Sequence, residues 1–452
     1  MLRKLSVALF ITLGLLAAGR AFAPYSSVKP LLSLGPAELQ SADEAQWIAW
    51  ARRHDKTIRA RLEQGDLDSM VNLLLYGTSF TSQPRISMEG EGIAAASKSG
   101  VLRTRVDDLV AGLRSPGDNE RLIFLQQVVK GQGIDPESSD GGRETGLFLL
   151  KNLQRVVAER KTLALRAADS TVGADDASSL LNRSSFFRDR GLSLDTGIIP
   201  DFSIEQTLRD LKARGVLREN QVSRVAVIGP GLDFIDKNEE SAYDYYPQQT
   251  VQPFALYDSL VRLRLAKPGA LSVAIFDISG RVIEHLDRAR RHARKGVAYT
   301  LQLPRDLSRP WPESLVGYWK SLGNQIGTPT TPIPSPRIFP GLETRAVRIR
   351  PEVVQAFQPV DLDIIVERLT PTPAGQFDLI VATNIFVYYD AFEQSLALEN
   401  AGAMLKTGAL LLTNDRLPEN RGGPMRLTGV TVIPFDTPGM STRLAMGWYK
   451  RE

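Results

Sequence analysis

Across residues 221–452 short apolar runs alternate with helix-like stretches, and such a chain buries its apolar faces only as a largely parallel sheet covered by helices on both sides. Arg224–Ile228, 272–276, 345–349, Phe377–Ala382 and 409–413 read as its strands, and 430–434 and 443–449 would close it. Between Pro304 and Pro340 the density of Pro, Gly and Thr excludes a central strand or a long helix, which makes this insert a loop or lid candidate.

Upstream the pattern changes. Residues 36–168 carry apolar positions three and four apart, with Trp47 and Trp50 on one helical face and Leu102, Val106 and Leu109 on another. Turns at Ser115-Pro116-Gly117 and Asp140-Gly141-Gly142 cut this stretch into an array of helices. With 452 residues and 43% hydrophobic content the chain has room for two or three cored units. The expected division is a leader at 1–23, a helical domain at 24–170, a linker and packing helix at 171–220, and an α/β domain at 221–452 interrupted at about 304–340. The leader combines Arg3 and Lys4, an uncharged run over 5–19, and Ala21-Phe22-Ala23 as a small-x-small site, so export or membrane attachment through 5–19 is expected. If that segment is not a working signal, the chain is cytoplasmic.

The absence of cysteine excludes disulfides, thiolate metal sites and cysteine nucleophiles, and His54, His285 and His292 are few for a metal centre or a triad. No metal site is expected. The net charge of +4 is spread over interleaved acids and bases and gives no argument for a nucleic-acid partner.

The run Val225-Ala226-Val227-Ile228-Gly229-Pro230-Gly231 is a buried strand entering a glycine turn, where missing side chains let backbone approach a ligand. The next apolar strand ends on Asp277, at the edge where a ribose receives hydrogen bonds from a carboxylate; a helix cap is the competing reading, since Ser279-Gly280 and a helical run follow. A dinucleotide fingerprint would want a third glycine where Phe234 stands and an acid about 20 residues on, so an oxidoreductase ranks below other readings.

The segment Gly375-Gln376-Phe377-Asp378-Leu379-Ile380-Val381-Ala382-Thr383-Asn384-Ile385-Phe386-Val387-Tyr388-Tyr389-Asp390 resembles the fourth-strand motif of class I S-adenosylmethionine-dependent methyltransferases. It is most similar to that of the chemotaxis-receptor methyltransferases, and Leu405-Lys406-Thr407-Gly408-Ala409-Leu410 looks like the superfamily's turn into its fifth strand. The resemblance covers the C-terminal half and implies a Rossmann-like methyltransferase sheet behind an N-terminal all-helical domain, with S-adenosylmethionine as cofactor. It further implies Gly229 and Gly231, with Asp233 beside them, at the methionine end, Asp277 at the ribose and Asn384 near the transferring methyl.

Methyl transfer from a sulfonium is an in-line displacement that needs alignment and exclusion of water. Where the acceptor must lose a proton, Tyr388, Tyr389 and Asp390 are candidate bases, so Asn384, Tyr388 and Asp390 form the expected catalytic set. The Tyr243–Pro247 cluster and Trp311 to Trp319 are candidates for an acceptor pocket or lid, whereas Arg281, His285, Arg288, Arg291, His292 and Arg294 read as a solvated helix face. The acceptor, small molecule or protein, is not named by these residues, and a catalytically silent scaffold is the alternative function.

Overall fold

The computed structural model describes residues 19–88, 90–170, 191–192, 197–234, 243–370, 372, 375–418, 422–437 and 440–452. Most of the uncharged leader run and most of the polar linker lie outside the described residues. The described chain begins with a short strand β1 (Arg20–Phe22) and helix α1 (Tyr25–Val28). Helix α2 (Glu44–Tyr76) starts on a capping box in which the Asp43 side chain accepts from Gln46 N and the Gln46 side chain accepts from Asp43 N. At its other end the buried Arg105 guanidinium donates to the carbonyl oxygens of Leu74 and Gly77, groups that a helix terminus leaves without partners. Arg105 belongs to α4 (Val101–Arg114), which with α3 (Gly92–Lys98), α5 (Glu120–Gly131) and α6 (Gly141–Ser170) completes the helical half.

The C-terminal half opens with α7 (Ile198–Ala213), β2 (Arg224–Ile228), α8 (Gln252–Arg262), β3 (Ser272–Asp277) and α9 (Gly280–Arg294). Next come β4 (Tyr299–Asp306), α10 (Glu313–Ser321), β5 (Gly327–Thr330), β6 (Leu342–Ile349), α11 (Pro351–Gln355), β7 (Phe357–Asp361) and β8 (Glu367–Leu369). The chain closes with β9 (Phe377–Ala382), α12 (Ala391–Met404), β10 (Leu405–Thr413), β11 (Met425–Thr437) and β12 (Met440–Arg451).

Seven strands form the main sheet in the order β11-β12-β10-β9-β2-β3-β7. The five from β10 to β7 run parallel, and β12 is antiparallel to both β10 and β11. Two expectations change here. Residues 345–349 do not join this sheet: they lie in β6, the middle of a separate antiparallel sheet ordered β4-β6-β5. Their place is taken by β7, whose Pro359 disguises it; proline is tolerated because β7 is an edge strand with one side unpaired. The Pro- and Gly-rich insert, for its part, contains helix α10 and strand β5 and so is not a loop throughout.

Alternate residues of a strand face opposite sides. Val225, Val227, Val273 and Ile275 pack with α7, α8 and α9, while Ala226, Ile228, Ala274 and Phe276 share a core with α12 and with Val28, Leu31, Trp47, Ala51 and Ile58 from the N-terminal segment. The start of the chain therefore covers one face of the sheet. In the same core Trp47 stacks on Trp50 with ring centroids 5.5 Å apart. Strand β1 pairs with β8, Ala23 N donates to Val366 O at 2.9 Å, and Trp47 Nε1 donates to Ala23 O at 2.9 Å.

Candidate functional site

Strand β2 has β3 on one side and β9 on the other, and the connections leave it in opposite directions, so a crevice opens beyond the carboxyl ends of these strands. Beyond β2 the chain turns through Gly229 at φ 61° and Gly231 at φ 72°, the left-handed region that glycine adopts without a Cβ penalty. At Gly229 a Cβ would also lie 2.1 Å from Ile385 Cδ1, so the glycine turn and the segment after β9 are in direct contact.

Asp277 ends β3 with 6% of its surface exposed. Its Oδ1 accepts from Ser279 N at 2.8 Å, a turn bond two residues on; the helix that follows has Ser279 as its N-cap, with no side-chain cap, so Asp277 does not cap it. Burial raises its carboxyl to about 7. Asp363, two residues past β7, is fully buried and likewise pushed up to about 7 by burial. Its Oδ1 accepts from Ile365 N, while Oδ2 has no hydrogen-bond partner among the described residues. The nearest cationic candidate, His54 Nε2, is 3.9 Å away, but burial lowers His54 to about 4, so the ring is neutral and the two do not form an ion pair.

After β9, Asn384 adopts φ 58° and is locked to Asn414 by reciprocal bonds: Asn384 N donates to Asn414 Oδ1 at 2.8 Å and Asn414 Nδ2 donates to Asn384 Oδ1 at 2.6 Å. The Asp of the Phe-Asp-Leu-Ile motif has a structural task at the far end of the sheet. Asp378 accepts from Ser223 N, Arg224 N and Lys406 Nζ and so joins the starts of β2, β9 and β10.

Two cavities flank the crevice. The smaller, about 80 Å³, is lined by Gly231, Asp277, Asp363, Tyr388 and Leu62 of α2. The larger, about 440 Å³, is lined by Asp233, Tyr243, Tyr246, Gln252 and Trp311. Gly229, Thr383 and Asn384 belong to both walls, so the two cavities meet at the turn after β2.

The expected residues are thus distributed unequally. Gly229, Gly231, Asp277, Asn384 and Tyr388 gather at the smaller cavity. Asp233 lies in the larger one, where its Oδ2 accepts from Tyr246 Oη at 2.5 Å. Asp390 lines neither: its Oδ1 accepts from Glu393 N at 2.9 Å in a capping box that starts α12, which accounts for an acid at that position. Tyr389, almost wholly buried, lines the smaller cavity, as Tyr243 and Trp311 line the larger. On α9 the solvated face is smaller than expected, because His285 Nε2 meets Tyr299 Oη at 2.8 Å and Arg281 Nη1 donates to Asp66 Oδ1 at 2.7 Å.

Sequence reasoning missed Asp363, Gln252 and the α2 side chains. The first had a signal, an acid just past an apolar run, but Pro359 concealed the strand that ends there. Helix α2 crosses the crevice: Arg59 donates to Asp361 Oδ1 and to Ile278 O, Arg61 Nη1 donates to Tyr388 O at 3.2 Å, and a Cβ at Gly65 would lie 2.0 Å from Leu192 O.

No known family profile matches the sequence. Over 122 residues, 25% of this chain, it is similar to the chloroplastic ATP synthase epsilon chain of Eucalyptus globulus subsp. globulus, at 33% identity and 89% of that protein's length. A quarter-length likeness does not account for a chain whose main sheet alone extends from Arg224 to Arg451. Among solved structures, TrmN from Thermus thermophilus is 10% identical at a TM-score of 0.24 over 56% of this chain, which spans about half, 52%, of the TrmN chain. Magnesium protoporphyrin IX methyltransferase (ChlM) from Synechocystis PCC 6803 with bound SAH is 8% identical, with a TM-score of 0.26, over 64% of this chain and 92% of that one. MtNAS in complex with MTA and tNA is 11% identical, with a TM-score of 0.24, over 88% of this chain and 97% of that one. Likenesses of this size carry no activity or ligand across to this chain, and the fold rests on its own strand order, five parallel strands followed by a reversed hairpin with its last strand inserted. By that order the chain has a mixed α/β architecture with a Rossmann-like sheet, preceded by a helical N-terminal region.

Proposed function

We propose that the protein binds S-adenosylmethionine in the crevice and transfers its methyl group to an acceptor held in the larger cavity. The observation that carries this reading is the meeting of the two cavities at Gly229 and Asn384, with the buried Asp277 carboxylate on the smaller side. When bound, the sulfonium supplies an electrophilic methyl group. The chain's task is then to orient, to exclude water and to leave one line of approach.

In chemistry the smaller cavity fits an adenosine: Asp277 would accept from the ribose hydroxyls, and the unpartnered Oδ2 of Asp363 would accept from the amino group of the base. In volume it falls short, since about 80 Å³ lies well under the ~300 Å³ at which ligand pockets usually begin. Occupation therefore requires the cavity to widen, with Leu62, the α2 side chain in its lining, withdrawing. Gly229 and Asn384 would hold the methyl end between the cavities, their backbones fixed by left-handed turns and by the Asn384–Asn414 pair.

The same tightness favours the second reading, a silent methyltransferase fold in which α2 permanently fills the crevice. Calorimetric titration with S-adenosylmethionine and S-adenosylhomocysteine separates the two, with NAD as control and Asp277→Ala as the site test. Micromolar binding lost in Asp277→Ala supports the transferase. Absence of binding to either sulfur compound removes it in favour of the silent fold.

A further inference from the structure

The larger cavity has a chemical character of its own. Gln252, at the start of α8, is 4% exposed, and its Nε2 donates to Thr383 Oγ1 at 2.7 Å. Its Oε1 has no hydrogen-bond partner among the described residues, although leaving a buried acceptor unpaired is costly. Asp233 Oδ2 takes the Tyr246 hydroxyl and Gln249 Nε2, which leaves Oδ1 for a ligand. Gln249 itself is committed to the wall, donating to Gln302 O and accepting from Gln302 N.

Among the described residues no cationic side chain bonds the Asp233 carboxylate directly. Asp306 is held by Ser308 and lies 3.5 Å from Arg309, so that pair is neutral as a unit. Arg121 stands behind the wall, where its guanidinium binds the carbonyl oxygens of Asp233 and Tyr246. Tyr243, Tyr246 and Trp311 supply apolar ring surface, and each already carries a guanidinium of the protein, Arg85, Arg121 and Arg305 respectively, so the hydrogen-bond acceptors and not the rings select the ligand. The cavity thus presents two hydrogen-bond acceptors, one carboxylate and three aromatic rings. A hydroxyl brings one donor to such a wall; an amine brings two and can carry the complementary charge.

We infer that the larger cavity accepts an amine, making the protein an N-methyltransferase toward an amine-bearing acceptor; this deepens the methyl-transfer reading and rests on it. An amine that enters as its ammonium first gives one proton to solvent; the lone pair of the neutral amine then forms the N–C bond as the C–S bond breaks, and the electron pair of that bond stays on sulfur. Positive charge passes from sulfur to nitrogen, and the resulting ammonium later gives one proton to solvent. Asp233 is placed to stabilise the charge that develops on nitrogen, and Gln252 Oε1 accepts one N–H and orients the lone pair.

The experiment titrates the full chain with benzylamine, and with benzyl alcohol and benzoate as shape-matched controls, with and without saturating S-adenosylhomocysteine. Benzylamine is expected to bind at least about tenfold more tightly than either control and to keep its affinity when the sulfur compound is bound. Asp233→Asn, which preserves shape, should lose that preference, and Gln252→Glu, which adds a charge at the same wall, should increase it. Equal binding of amine and alcohol, or an unaltered preference in both variants, overturns the inference. Displacement of benzylamine by S-adenosylhomocysteine also overturns it, because Asp233 would then belong to the donor's own amino-acid end. If the sulfur compound fails to bind while the amine preference persists, the donor reading falls and the amine site stands.

Discussion

Arg59 of α2 donates to Asp361 Oδ1 at 2.7 Å, and through the same guanidinium to the carbonyl oxygen of Ile278 at 2.9 Å. This contact ties the helical half to the carboxyl ends of β3 and β7, on the rim of the smaller cavity. The ion pair is partly exposed and contributes little by itself, whereas the bond to the Ile278 carbonyl contributes about 1 kcal/mol. Arg59→Met should therefore cost about 1 kcal/mol in a denaturant melt, and it should quicken association of S-adenosylhomocysteine if α2 gates the crevice. An unchanged association rate would show that α2 does not control entry.

Asp277 links stability to pH. Its carboxyl rises from 3.8 to about 7 on folding, so between those values the folded chain keeps a proton that the unfolded chain has released. Its contribution to stability is complete below the lower value, falls as pH rises through the window, and is flat above it. Asp277→Asn keeps the acceptor for Ser279 N and removes the ionisable group. At about pH 8 the variant should be more stable than the parent by a few kcal/mol while losing donor binding, and near pH 4 the stability difference should vanish. Thermal melts at both pH values test this.

Removal of residues 1–23 should destabilise the fold more than removal of residues 1–18. The longer deletion takes away β1, the bond from Arg20 Nε to Glu367 at 2.8 Å, and the acceptor of the buried Trp47 Nε1. Leaving that indole unpaired and losing the flanking bonds amounts to about 3 kcal/mol, measurable by denaturant titration of the two truncated chains. Equal stability of the two would mean that β1 is dispensable.

Gly229→Ala should impair both fold and donor binding. The left-handed backbone costs a Cβ-bearing residue about 1–2 kcal/mol, and the added methyl meets Ile385 Cδ1. Combining it with Ile385→Ala relieves only the collision, so partial recovery of the melting temperature is expected. Full recovery would mean that the φ at this position is not a constraint.

Where local pattern and local chemistry coincide, the chain could be read without its fold. Arg224–Ile228 and Phe377–Ala382 are strands at the expected boundaries, because uninterrupted apolar runs between turn residues have no other way to bury both faces. Gly229, Gly231 and Asp277 were visible for the same reason: each is adjacent in sequence to the strand that positions it. Residues 345–349 were misplaced because an amphipathic strand reads alike in either sheet, and β7 was hidden by a proline that only its edge position permits. Asp390 shows the converse case, an acid whose nearest neighbours in sequence, through the cap it makes to Glu393, explain it without reference to any ligand.

What the amino-acid order determined by itself is strands β2, β3 and β9, the left-handed glycine turn and the carboxylate at the end of β3, since each depends on contacts within a few residues. The tertiary structure alone decided that Arg59 reaches Asp361, 302 positions away, that Asp363 enters the smaller cavity, and that Gln252 and Asp233 face the larger one. Those pairings depend on how α2 and the turns after β2 and β7 pack across the sheet edge, where backbone direction and long-range burial set the neighbours and no local period in the sequence records them.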